Sequence, residues 1–422
     1  MKTRNDGRPF PLQWVLLAIL VLFAYPGLSA AAANPKLRLI SHDVSEKPSP
    51  LHAVFYSEPN GLRLVTRSRF SDDNGQTWAA LAGTPDFSAG MPYGYRRNPA
   101  TSVVDSKTKR LVTIVNALDT PGLDPAKVEP AIALSQYYLR YRVSEDGGRT
   151  WLFDEPIVQD GDFTEKHPFE DIEIGKNGFF LGDAGSIPIV NSGGEILVPA
   201  QATMMDSNGK LYNPTGQTTF TDVFVIIGTW QDDGHLHWTA SPRVQGDQAR
   251  TTRGVIEPTL AEFKDGRILM VMRGSNAGQP NLPGHRWFSV SENSGHTWSS
   301  PEPWTYDDNQ PFFSPSSMST LIRHSNGRVF WVGNISEQNS NGNNPRWPLV
   351  AAEVDPQSLK MIRSSLVTLD TQSPADKARG KLDLSHFHVR EDRETRQLVV
   401  TYPRSYNGYK SREWAIARIA VE

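Results

Sequence analysis

Past an apolar run near the N-terminus, the hydrophobic positions fall in short clusters of Val, Ile, Phe, Tyr and Trp, cut by Asn, Asp, Gly, Ser and Pro. This is the pattern of strands and turns, and almost no helical periodicity competes with it. One unit recurs: a strand, a polar turn, then a second strand opening near Arg, Lys or Glu and Leu, Ile or Val. It reads "HAVFYSEPNGLRLVTR" at His52–Arg67, "NPATSVVDSKTKRLVTIV" at Asn98–Val115 and "GSIPIVNSGGEILVPAQ" at Gly185–Gln201. It returns as "EPTLAEFKDGRILMVMR" at Glu257–Arg273, "PSSMSTLIRHSNGRVFWVGN" at Pro315–Asn334 and "HFHVREDRETRQLVVTY" at His386–Tyr402. Copies spaced by several tens of residues fit a β-propeller, each copy being the inner hairpin of one four-stranded blade. The expectation is an all-β, six-bladed β-propeller with no second domain.

A second repeat alternates with the first. "SDDNGQTW" at Ser71–Trp78 returns as "SEDGGRTW" at Ser144–Trp151 and "SENSGHTW" at Ser291–Trp298, with a degenerate "QDDGHLHW" at Gln231–Trp238. Each falls where the outer strand of a blade turns back. In S-x-D-x-G-x-T-W the Asp accepts backbone N–H bonds within the turn, Gly supplies a positive φ, and Trp packs back on the sheet. A calcium loop starting at Asp72 fails, because its sixth and twelfth positions are Thr77 and Gly83 rather than Gly and Glu. The octapeptides are therefore structural, and Asn293 in place of Asp weakens only the third turn.

Composition narrows the partners. A formal net charge of −3 over 422 residues leaves no basic excess for nucleic-acid phosphates. With no cysteine there are no disulfides or thiolate zinc sites. Lys2, Arg4 and Arg8, the apolar "WVLLAILVLFA" at Trp14–Ala24 and the small-residue "GLSAAAA" read as a signal peptide over residues 1–33, followed by one domain over 34–422. An uncleaved anchor is the alternative. The expected product is secreted or periplasmic, is not stably inserted in a membrane after cleavage, and is monomeric, with no cofactor or metal.

The octapeptides resemble the Asp-boxes of the sialidase (neuraminidase) superfamily, and a weaker resemblance to bacterial sialidases runs from about Arg97 to Val399. It implies a carbohydrate substrate and an axial site with three arginines gripping a carboxylate, a Tyr–Glu nucleophile pair and an Asp acid/base. In "EPTLAEFKDGRILMVMRGS", Glu257 stands where the family places the Glu that assists the tyrosine, and Arg273 where it places the second arginine. An Arg fork holds a carboxylate in two parallel bonds. The alternative is a Glu–Arg pair that only staples the blade. Arg346, in "NNPRWPLVAAEV", stands at the third arginine, after the Gly/Asn-rich loop "GNISEQNSNGNNP". The family's first arginine and its Asp loop have no counterpart, since Pro50–Phe70 is a bare hairpin. Its tyrosine is replaced by "LSHFHV", with His386 and His388 in the neighbourhood and Tyr402 and Tyr406 following.

Three further loops carry more chemistry than connectors need. "MPYGYRRNP" holds Tyr95 and Arg97 as candidate substrate contacts. "FTEKHPFEDIEIGKNGFFLGDAG" holds His167, Glu170, Asp171 and Asp183, its "GDAG" falling where sialidases have a glycine-rich axial loop. "QPFFSPSS" precedes the fifth inner strand. Inner-strand starts converge on one end of a propeller's channel, so these loops are expected to share a site with Glu257 and Arg273. The function expected is a sialidase-like glycoside hydrolase acting on an acidic sugar. In it Glu257 polarises Tyr402 or Tyr406, Arg273 and Arg346 bind the carboxylate, and Asp183 or His167 donates the proton, with His386 nearby. The alternatives are a polysaccharide lyase on a uronate, using a His or Tyr base, and a non-catalytic glycan-binding propeller.

Overall fold

The computed structural model describes residues 37–47, 53–66, 68–81, 95–118, 133–216 and 218–422, with only the backbone for 95–100 and 133. The expected signal, residues 1–33, lies outside them. Six antiparallel sheets of four or five strands follow one another along the chain. They are the six blades of the propeller. Each of the six repeated hairpins forms the two inner strands of one blade, as in Ile256–Glu262 with Ile268–Arg273 and His388–Glu391 with Leu398–Tyr406. Among the described residues the helices are short pieces, such as Pro374–Arg379, and none is long and apolar enough to cross a membrane.

The second strands of the blades explain why their sequences read as apolar runs rather than alternations. Leu111–Leu118, Ile196–Thr203, Ile268–Arg273 and Val329–Asn334 are buried along their whole length, each face meeting a neighbouring blade. The core is accordingly divided into inter-blade layers. Tyr141, Val198, Phe224 and Trp238 pack blades two and three, while Phe330, Leu349, Tyr402 and Tyr406 pack blades five and six. Each buried Val, Leu or Ile contributes about 1.5–3 kcal/mol.

The octapeptides form outer hairpin turns of the blades. Asp73 accepts from Thr77 N at 2.8 Å and Thr77 Oγ1 at 2.6 Å, and Ser71 Oγ accepts from Gly75 N at 2.7 Å. Asp146 repeats the set with Thr150. These bonds hold both carboxyls down to about 2, burial opposing them at Asp146. Asn293 keeps both contacts to Thr297 through its single Oδ1, at 2.9 and 3.1 Å. The degenerate copy turns instead on backbone bonds, Gln231 N to His235 O and Gly234 N to Gln231 O.

The last blade closes the ring. Its outer strand is Leu37–Ser45, which pairs antiparallel with Ser411–Val421. The inner-strand starts of blades three to six, and the turn after Tyr406, lie at one end, and the candidate site is there.

Candidate functional site

The fourth blade supplies the centre. The register between its inner strands breaks between Ile256 and Thr259, a bulge that re-aims the side chain, and Glu257 takes a φ of 51°. Its N–H donates to Gln201 Oε1 at 2.7 Å, which fixes that conformation. Glu257 Oε1 then accepts from Nη1 of the buried Arg273 at the end of the next strand. The other two faces of Arg273 are also held. Nε donates to Ser316 Oγ at 2.8 Å, from the "QPFFSPSS" loop, and Nη2 to Asn343 Oδ1 at 3.1 Å, from the Gly/Asn-rich loop.

Ser316 joins this arginine to the next, because its carbonyl accepts from Arg346 Nη2 at 3.1 Å. Nη1 of Arg346 faces Asp383 Oδ2 at 3.1 Å, Ser385 Oγ at 3.1 Å and the Tyr409 hydroxyl at 3.3 Å. Burial lowers the Arg346 pKa, but Asp383, Tyr409 and Glu257 more than offset it, leaving a firmly charged guanidinium.

A relay of hydrogen bonds stands beside Arg346. Asp183 Oδ2 lies 2.6 Å from His386 Nδ1, and His386 Nε2 lies 2.9 Å from the Tyr409 hydroxyl. That hydroxyl is also 3.3 Å from Asp383 Oδ2. Burial pushes the Asp183 carboxyl up, but the hydrogen bond and charge of His386, the Ala184 N–H and Arg273 outweigh it and hold it down to about 2. His386 moves the other way: burial lowers it, Asp183 raises it further, and the net shift is upward. Asp183 is thus an ionised acceptor that orients the imidazole, not a proton donor. Tyr409 is 42% exposed, so the head of the relay is open to solvent. His386 and Tyr409 also have positive φ, 57° and 69°. Left-handed backbone at a bulky residue is uncommon and gathers where a site over-determines it.

The axial "GDAG" loop can bring Asp183 here only because it lacks side chains at two points. A Cβ on Gly182 would stand 2.5 Å from Glu257 Cα, and one on Gly185 would stand 2.1 Å from Ser319 O. Glycine lets the loop cross the starts of the fourth and fifth blades at contact distance.

A third arginine escaped the reading of the sequence. Arg253 sits in the loop before the fourth inner strand, and burial with the charges of Arg273 and Arg346 lowers it to about 10, against the pull of Glu257. Arg286 is a further buried arginine of this cluster, and four of its buried polar atoms lack a partner: Arg253 Nε, Arg286 Nε, Arg346 Nε and Glu257 Oε2. Such atoms are rare in folded proteins. Arginines gathered this closely concentrate positive charge, and guanidinium groups are suited to pairing with carboxylates.

The other candidates are dispersed. Tyr402 and Tyr406 are fully buried between blades five and six, bonded to Asp370 Oδ2 at 3.1 Å and Asp376 Oδ1 at 2.6 Å, with Arg404 between the two carboxylates. Burial first, then these carboxylates, raises both phenols well above their ordinary value. The tyrosine of the cluster is Tyr409 instead. His167 lies on an exposed turn, its Nδ1 2.7 Å from Ile172 O, apart from the relay. Tyr95 and Arg97 lie on the strand Tyr95–Val104, and their side chains are outside the described residues. Among the described residues no group of three or more His, Asp or Glu is arranged to hold a metal ion.

Comparison with known proteins bears on the scaffold. Residues 126–407 match the family model of the BNR repeat-like domain. No curated protein sequence matches the chain. Among solved structures it is similar to a protein of unknown function from Dyadobacter fermentans, with 15% identity, a TM-score of 0.56 and coverage of 92% of this chain and all of that one. It is also similar to the NanB sialidase from Streptococcus pneumoniae, with 12% identity, a TM-score of 0.52 and coverage of 92% and 69%. A Hadza microbial sialidase gives 16% identity, a TM-score of 0.50 and coverage of 86% and 60%. These likenesses concern the fold. The chain belongs to the BNR repeat-like domain family.

Proposed function

We propose that the protein hydrolyses glycosides of an acidic, sialic acid-like sugar. The observation that carries this reading is the Tyr409 hydroxyl, hydrogen-bonded to His386 and flanked by Arg346 beside two further arginines. Arg253, Arg273 and Arg346 grip the sugar's carboxylate, which places the anomeric carbon near Tyr409. With His386 neutral, Nε2 accepts the Tyr409 proton while Oη attacks the anomeric carbon and the glycosidic C–O bond breaks. The imidazolium, paired with Asp183, gives its proton to the leaving oxygen. In the second half His386 takes a proton from water, whose oxygen attacks the same carbon. The tyrosyl–sugar bond breaks, the imidazolium returns its proton to the Tyr409 oxygen, and the products have gained one water. Glu257 keeps Arg273 in place, and its Oε2 is buried without a hydrogen-bond partner.

One observation favours a second reading, a lyase acting on a uronate. The hydrogen bond and charge of His386 outweigh burial and hold the Asp183 carboxyl down to about 2, so Asp183 carries no proton for a leaving group. A Tyr–His pair beside carboxylate-binding arginines is itself a base and an acid for β-elimination. Mass spectrometry of products from sialosides and uronate polysaccharides decides between them. A gain of one water supports hydrolysis, an unsaturated sugar without that water supports the lyase, and no product from any substrate leaves a glycan-binding propeller.

A further inference from the structure

Tyr409 stands in a turn that its own residues do not stabilise. Asn407, Gly408 and Tyr409 take φ of 51°, 68° and 69°, three left-handed residues in a row. Glycine adopts that region freely and asparagine tolerates it, but it is costly at a tyrosine, and left-handed residues ordinarily occur singly. All four residues of the turn 407–410 are exposed, so burial does not hold it. Such a backbone persists only where its surroundings over-determine it.

The side chain of Asn407 ties the turn to the rest of the blade. Its Oδ1 accepts from Lys381 N at 3.0 Å, its Nδ2 donates to Arg379 O at 3.0 Å, and its backbone N–H donates to Lys381 O at 2.9 Å. The amide thus serves the segment 379–381 as one more strand partner would. Gly380 makes the contact possible, because a Cβ there would stand 2.2 Å from Asn407 Oδ1. The segment is anchored on both sides. Before it lies the helix Pro374–Arg379, whose Asp376 accepts from Ser373 N at 2.9 Å, Tyr406 Oη at 2.6 Å and Arg404 Nη2 at 2.9 Å. After it, Leu382 and Asp383 pair with Tyr406 and Ser405, and Asp383 meets both Arg346 and the Tyr409 hydroxyl. The ionic layer between blades five and six, which takes no part in the proposed chemistry, is therefore the footing of the turn that does.

We infer that Asn407 is the positioning residue of Tyr409: its amide, held on Arg379 O and Lys381 N, sets the phenol at hydrogen-bond distance from His386 Nε2. Its effect on turnover rests on the hydrolase reading, whereas its effect on geometry is measurable without any substrate. The test is 1H–15N NMR of the His386 imidazole in the full-length protein, assigned by its absence from His386→Ala, together with steady-state kinetics. Tyr409→Phe gives the position of the Nε2 resonance without the hydrogen bond. Asn407→Gly leaves the backbone free to be left-handed and removes both side-chain bonds, so it should move the resonance most of the way to that position. It should lower kcat about 10- to 100-fold with KM within about twofold. Its Tm should stay within about 3 °C of wild type, because the lost bonds are exposed. Asn407→Asp keeps the acceptor for Lys381 N and loses the donor to Arg379 O, so it should fall between the two, and it carries the test if Asn407→Gly does not fold. A resonance at its wild-type position in both variants overturns the assignment, as does a rise in KM with kcat unchanged. If the wild type turns over no acidic glycoside, the hydrolase reading fails, while a moved resonance keeps Asn407 as the residue that places Tyr409.

Discussion

His386 Nε2 lies 2.9 Å from the Tyr409 hydroxyl, across a gap that only two left-handed backbone positions close. Neither residue belongs to a strand, and both are held by carboxylates of other segments, Asp183 and Asp383. The pair works as a unit or not at all. Tyr409→Phe and His386→Ala should each lower kcat by about 100- to 10,000-fold, and the double variant should be little worse than the more damaging single one. The melting temperature of Tyr409→Phe should stay near wild type, because the ring is partly exposed. Steady-state kinetics with calorimetry checks both statements; fully additive losses would separate the two residues.

The pH dependence follows from the same relay. Asp183 raises His386 above its ordinary 6.5, so the neutral imidazole that accepts a proton from Tyr409 forms only on the alkaline side of that value. The acid limb of kcat/KM should therefore rise through a midpoint above 6.5, and Asp183→Asn should move it toward acid. The stability sign runs with the pair. The raised His386 contributes fully below 6.5 and loses its contribution as pH rises through its folded value. Asp183 contributes above its ordinary 3.8 and loses it as pH falls toward about 2. NMR titration of His386 would show a midpoint at or below 6.5 if the pairing is wrong.

Removing Arg273 strands a charge. Glu257 has one oxygen on Arg273 and the other without a partner, in a buried place. Arg273→Ala should cost about 3–5 kcal/mol of stability, and adding Glu257→Gln should return a large part of it while leaving turnover abolished. Chemical denaturation of the three variants measures this. Equal stability of the single and double variants would show that the pair is solvated.

Glycine at the axial loop should be irreplaceable by even a methyl group. Gly185→Ala would set its Cβ 2.1 Å from the Ser319 carbonyl, a backbone atom that cannot swing away. A loss of about 1–3 kcal/mol is expected from such overpacking, with Asp183 displaced from His386. The loss of activity should exceed what the change in folded fraction explains. Gly327→Ala, with open space around it but a φ of 87°, is the control for backbone strain alone.

The blades were legible because their signals are local. Each inner hairpin carries its apolar runs and its turn within about twenty residues, and the Asp-box bonds span four, so pattern and structure coincide. The site was legible only where it borrows from that regularity: Glu257 and Arg273 begin and end one hairpin. Tyr409 sits in the turn 407–410 between two strands, with partners at 346, 383 and 386. Arg253 looks like any loop arginine until burial beside two others distinguishes it. Tyr402 and Tyr406 were placed in the site because a polar network between blades and a polar network on the axis draw on the same residues. Arg404 and its carboxylates show how ionic an inter-blade layer becomes.

The pairing of Leu37–Ser45 with Ser411–Val421 also sets the order in which the molecule can be made. A ribosome delivers the first of these strands long before the second, and Tyr409 emerges only just ahead of its end. The earliest strand must therefore wait unpaired through the synthesis of five blades, its edge open to other chains. Contacts of such separation fold slowly. The hydrogen bonds that join Asp183, His386 and Tyr409 are complete only after the turn that leads into Ser411–Val421 has been made.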